Sequence, residues 1–251
     1  MHLTGEGAWY ARGGSKLGEL YTIMHLPYTS MVLSYVLIGA AVSPSFYPNR
    51  VIATLLAYFL GLGLSAHALN ELHARHWGET LSKRELETLF AASLIGAILI
   101  GAFGMVVLYA TSGALLAPLV LLAFIFLETF FLFAYNIDFS GGRFHTDLAF
   151  AFSWAALPVL VSYYVNALTI TVVALLVAVG MAATAGIEIN LSRWCKDFRR
   201  KSSLTQMQLA DGTKLSLNTA ELIAKPEKAL KLIVVAVDLL AIGLTIHKLF
   251  P

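Results

Sequence analysis

The sequence predicts an all-α, polytopic membrane bundle of about seven transmembrane helices, and three observations predict it. Of 251 residues, 58% are hydrophobic and only 13% charged, about half the charged share of a soluble domain. Polar side chains are therefore too few to cover a water-facing surface. Apolar stretches long enough to cross about 30 Å of hydrocarbon, at about 1.5 Å per residue, recur about seven times. A closed β-barrel needs short alternating segments instead, so helices satisfy the backbone better. The same composition excludes a soluble globule, a disordered chain, collagen and a coiled coil. The single Cys195 excludes a disulfide framework and a multi-cysteine metal site. A net charge of +2 gives no reason to expect a nucleic-acid partner.

The opening segment, 1–19, is polar and Gly-rich and lacks the apolar core of a signal peptide. Spans are expected at 23–43, 51–71, 88–110, 114–135, 146–164, 167–188 and 230–249. Lys and Arg gather on one side of these spans, leaving Arg50 and Lys248 on the other. That asymmetry puts the N-terminus in the cytoplasm and the C-terminus outside. In the long connection 192–229, Gln206 to Leu217 alternates around Asp211-Gly212, a hairpin signature. Asn218 and Glu221 have the spacing of a capping box, and Pro226 is expected to separate the short helix from the last span. Residues 195–229 would thus form a cytoplasmic cap, functional or merely ordered.

Sliding the chain against itself aligns 27–77 with 144–194 without a gap, giving about a dozen identities over about fifty positions. The register pairs Tyr47 with Tyr164, Asn49 with Asn166, Glu71 with Glu188 and Trp77 with Trp194. Because the copies are spans one–two and five–six, the repeat is parallel, and its interface is where membrane proteins often place a site. It puts Glu71 and Glu188 at equivalent cytoplasmic span ends.

Ionisable groups inside a span cost about 2–3 kcal/mol each on insertion scales and need a reason. His67, Asn70 and Glu71 share one helix face. With Glu128, His145 and Glu188 they offer imidazole and carboxylate ligands of the kind zinc and iron take. Core histidines, and Glu71 and Glu188 paired with Arg75 and Arg193, fit the same residues. Glu128 is hardest to dismiss, since no cation follows it within its helix. Arg75, Arg143 and Arg193 lie at the same mouth, where they would contact phosphate or only obey the positive-inside rule.

Asn70-Glu71 looks like the opening of an N-D-x-x-D-x-x-x-D motif, and Glu188 with Asn190 occupies the place of a second, D-x-x-D-like one. In this the chain resembles the UbiA-type intramembrane prenyltransferase superfamily over about its first 200 residues, in two parallel helical halves. The later acids of the first motif fall at Ala74 and Gly78, and Leu191 stands where the second wants a carboxylate. The resemblance implies a membrane enzyme that takes an isoprenoid or lipid substrate at the cytoplasmic side. It assigns Glu71, Glu188 and Asn70 to catalysis, Arg75, Arg143, Arg193 and Asn190 to the substrate, and magnesium as cofactor. Two alternatives stay open. One is an iron or zinc oxidoreductase or hydroxylase on lipid or quinone, with His67, Glu71, Glu128, His145 and Glu188 as ligands. The other is a non-catalytic binding or accessory protein.

Overall fold

His25 and Pro27 decide how the first span enters the bundle. The structure, a computed structural model, describes residues 8–74, 80–201 and 204–250. Helix α1 (Lys16–Ile23) is capped by the Ser15 hydroxyl, which accepts from the Gly18 N–H at 3.0 Å. His25 then turns left-handed at φ 46°, and α2 (Leu26–Ala41) restarts with Pro27 in its first turn, where a missing N–H costs nothing. The two axes meet at 44°. The span expected from residue 23 is therefore the second limb of a bent pair.

Helix α3 (Pro48–His73) opens on a proline and widens into π turns over Phe59–Ala66. Helix α4 (Lys83–Ser112) starts with a Ser82–Glu85 capping box and stops at Gly113, whose φ of 67° suits glycine. Helix α5 (Leu116–Asn136) follows, and α6 (Asp147–Ala167) starts under a Thr146 cap and carries its own π turns at Phe152–Ala156. Helix α7 (Val172–Lys201) precedes the hairpin of β1 (Leu204–Gln208) and β2 (Lys214–Asn218), and α8 (Thr219–Leu249) ends the chain.

Among the described residues six helices, α3 to α8, are long and apolar enough to cross a membrane, and the bent α1–α2 pair makes a seventh if it counts as one span. The chain is a multi-pass, all-α membrane protein. Its central span is α6, 78% buried over its most apolar stretch, whereas α4 is 11% buried and turns its apolar side chains outward. Helix α2 packs against α6 and α8. At Gly39 a Cβ would stand 2.3 Å from the Val159 carbonyl oxygen, so α2 approaches α6 as closely as backbones allow. Between α2 and α8, the Ser30 and Ser34 hydroxyls donate to the two carboxylate oxygens of Asp238 at 2.9 and 2.8 Å. At the end of the bundle away from the hairpin, Lys248 Nζ donates to the Ser43 carbonyl at 2.7 Å.

The hairpin forms as expected, antiparallel with Gln206 opposite Ser216, and Gly212 takes φ 84° in its turn. The Asn218–Glu221 capping box is present too. The expected break at Pro226 is not: α8 runs through it without interruption. Pro226 lies in the eighth position, so only the Leu222 carbonyl loses its helical donor, and packing on α2 and α7 holds the helix together.

Candidate functional site

Helices α3 and α7 each carry one of the glutamates that the self-alignment pairs, and both side chains are buried: Glu71 is 1% exposed and Glu188 4%. Neither faces lipid. Glu71 lies within electrostatic reach of Lys196, and Lys196 of Arg193. Arg193 is ion-paired with Asp147 at the start of α6 and lies within electrostatic reach of the buried Tyr135 of α5. Tyr135 is in turn within reach of Glu188, as are Tyr10, Tyr28 and Tyr35. Charged and phenolic groups thus surround both acids, with Arg193–Asp147 the ion pair among them.

Aromatic rings fill the interior at the same end. His67 stacks on His25 at 4.6 Å between centroids and lies 5.1 Å from Trp154, which stacks on Phe150 at 5.3 Å. Phe150 meets Tyr135, and Tyr135 stacks on His145 at 4.4 Å. The two runs of π turns end beside this column: Phe59–Ala66 immediately precedes His67, and Phe152–Ala156 contains Trp154. A π turn shifts the following side chains around the helix, which aims His67 and Trp154 at one another. Tyr10, ahead of α1, closes the column with a 2.5 Å hydrogen bond to His25 Nδ1. Burial, with Tyr28 and Glu188 nearby, pushes its phenol well above the usual range.

The five-residue ligand set drawn from the sequence is not assembled. Among the described residues, no group of three or more His, Cys, Asp or Glu side chains converges as a metal ion requires. His67 turns Nδ1 to the Gly63 carbonyl at 3.1 Å within its own helix. His145 is half-exposed and pairs with Asp138 at 2.8 Å, and His73 approaches the other oxygen of Asp138 at 3.5 Å. Glu128 belongs elsewhere: Tyr58 donates to its Oε1 at 2.5 Å, facing a separate cavity. The described donors do not fit magnesium either, which wants several oxygen ligands in near-octahedral geometry.

Of the other expected residues, Asn70 is half-buried beside Glu71, and Asn190 is exposed and donates to the Gly186 carbonyl of its own helix at 2.8 Å. Arg143 is exposed next to the left-handed turn at Ser140–Gly142. Arg75, His76 and Trp77 lie outside the described residues. Sequence reasoning missed Asp238, Tyr135 and Lys196. Asp238 had a readable signal, a lone carboxylate in an apolar helix with Ser30 and Ser34 one turn apart to receive it. Tyr135 and Lys196 had none, since their roles come from which helices meet.

Comparison of the chain with protein-family models, with curated proteins and with solved structures finds no match.

Proposed function

We propose that the chain is a UbiA-like membrane enzyme acting on an isoprenoid or lipid substrate at the cytoplasmic side, with Glu71 and Glu188 as its acid–base pair. One observation carries the reading: two acids that the sequence self-alignment pairs are both buried, with Lys196 within electrostatic reach of Glu71 and Tyr135 within reach of Glu188. Buried carboxylates at a span end are costly, and a reaction that moves a proton gives them a use. The helix pairs α2–α3 and α6–α7 stand where the self-alignment sets its two copies, which supports the duplication. The excess of Lys and Arg at the hairpin end supports its cytoplasmic placement. Exposed Arg143 and Lys196 offer cations to an anionic headgroup, while the apolar chain stays in the bundle. Among the described residues no three His, Cys, Asp or Glu side chains converge, so the two carboxylates are assigned proton transfer alone.

A non-catalytic binding protein is the second reading. It is favoured by the way Arg193, Asn190 and His145 commit polar atoms to neighbours within the fold. Thermal unfolding of the full chain in lipid nanodiscs, with farnesyl diphosphate or farnesol, tests the substrate class. At a hundred times Kd a ligand contributes about 2.7 kcal/mol, a rise of about 5–11 °C for a chain of this size. The diphosphate is expected to give that rise with or without magnesium, and farnesol a smaller one. No rise with the diphosphate refutes the assignment. If the rise appears but no bound lipid is converted, the binding-protein reading stands.

A further inference from the structure

The cavity at Glu128 is separate from the glutamate pair. It holds about 220 Å³ between α3, α4, α5 and α6, and its walls are apolar apart from a few groups. At one end, Arg50 is held within the fold: it donates to the Val165 carbonyl at 2.7 Å and to Thr111 at 2.9 Å, and lies over the Tyr47 ring. About 12 Å further along α3, eight residues at 1.5 Å each, Tyr58 donates to Glu128 Oε1. The other carboxyl oxygen, Glu128 Oε2, is shielded from solvent and has no hydrogen-bond partner among the described residues. On the α4 side the lining includes Ile98 and Phe103, which are 40% and 67% exposed, so the cavity meets the lipid there.

We infer that this cavity binds an apolar molecule of about nine carbons, or the end of a longer one, whose single hydroxyl bonds to Glu128 Oε2. The size follows from volume: a cavity of about 150 Å³ takes a benzene ring, so 220 Å³ takes about half as many carbons again. The polar end follows from counting. One carboxyl oxygen is unsatisfied, so one hydroxyl completes it, and a hydroxyl serves as donor or acceptor alike. An ammonium brings three donors to that one oxygen and strands the others in apolar surroundings. A hydrocarbon leaves the oxygen unmet. The occupant enters from the bilayer between α4 and α5. This inference does not rest on the proposed reaction, because no residue of the glutamate network lines the cavity.

The test is photolabelling of the full chain in phosphatidylcholine nanodiscs with an octanol carrying a diazirine near its tail, the labelled peptides being mapped by mass spectrometry. Label is expected on the cavity walls of α4 and α5. Octan-1-ol should displace it at least tenfold more effectively than octane or octylamine at equal membrane mole fraction. Glu128→Leu should bring octanol and octane to parity, Glu128→Gln should keep the preference, and Ala57→Phe should abolish the label by filling the space. Octane equal to octanol in the unmutated protein means that a lipid tail alone fills the cavity and overturns the inference. So does stronger displacement by octylamine, an octanol preference that survives Glu128→Leu, or label confined to other surfaces. The competition arms need no variant, so a misfolded mutant cannot rescue or sink the idea.

Discussion

Replacing Asp238 by alanine should loosen the bundle at one identifiable joint. Asp238 sits in the apolar part of α8, and both its carboxylate oxygens are used, by Ser30 at 2.9 Å and Ser34 at 2.8 Å. Hydrogen bonds between membrane helices contribute about 0.6 kcal/mol on average and about 1.7 at most. Two of them give about 1–3 kcal/mol to the α2–α8 contact. The cost of putting a carboxylate in lipid does not offset this, because separated helices stay in the membrane and Asp238 is worse off there without its serines. For a chain of this length about 1 kcal/mol shifts the melting temperature by about 2–4 °C, so Asp238→Ala should lower it by about 2–12 °C. A double-mutant cycle with Ser34→Ala isolates the bond. The expected coupling is about 0.6–1.7 kcal/mol, measured by reversible unfolding in mixed micelles. A coupling near zero, or an Asp238→Leu variant that melts higher than the parent, would refute the reasoning.

Three further outcomes follow from the same structure. Gly39→Leu forces a side chain into the Val159 backbone, whose carbonyl oxygen lies 2.3 Å from the position of its Cβ, and overpacking costs about 1–3 kcal/mol or more. The variant should melt well below the parent, and an unchanged melting temperature contradicts the close α2–α6 approach. Arg193 and Asp147 are each more than a third exposed, so Asp147→Ala should change stability by less than about 1 kcal/mol in chemical denaturation. A large loss there would mean that the pair is structural first. The hairpin turn should respond to acid: the backbone N–H and hydroxyl of Thr213 hold Asp211 below the usual carboxylate range. A depressed folded pKa contributes stability above about pH 4, lost as pH falls through the folded value. The protection of the Thr213 amide, its exchange rate relative to the intrinsic rate at each pH, should therefore fall in acid in the parent and lose that dependence in Asp211→Ala.

What could be read in the sequence and what could not divide along physical lines. Hydropathy reports the spans because lipid imposes one length on every crossing. The hairpin and the second capping box were legible because turn and cap chemistry act within a few residues, as at Asp211-Gly212 and Asn218–Glu221. Pro226 misled because the intrinsic helix cost of proline is local, whereas the packing of α8 on α2 and α7 is not. The bend at His25 escaped because a left-handed histidine carries no strong sequence mark. The self-alignment set Glu71 and Glu188 at equivalent span ends, but their burial and the nearness of Lys196 and Tyr135 depend on helices far apart in the chain. The same reason undid the five-ligand set: Glu128 and Glu188 are both acids inside spans, yet one faces Tyr58 and a lipid-side cavity and the other the aromatic interior.

The central claim is that Glu71 and Glu188 act as one unit on a lipid held at the hairpin end. It is tested most directly by single-turnover conversion of bound farnesyl diphosphate in nanodiscs, comparing the parent with Glu71→Gln, Glu188→Gln and the double variant. Acid–base groups contribute about 10²–10⁴-fold. Each single variant should thus lose at least about a hundredfold in rate while binding changes little, and the double should lose scarcely more than the worse single. Unchanged rates in either single variant, or losses that multiply in the double, would contradict the account.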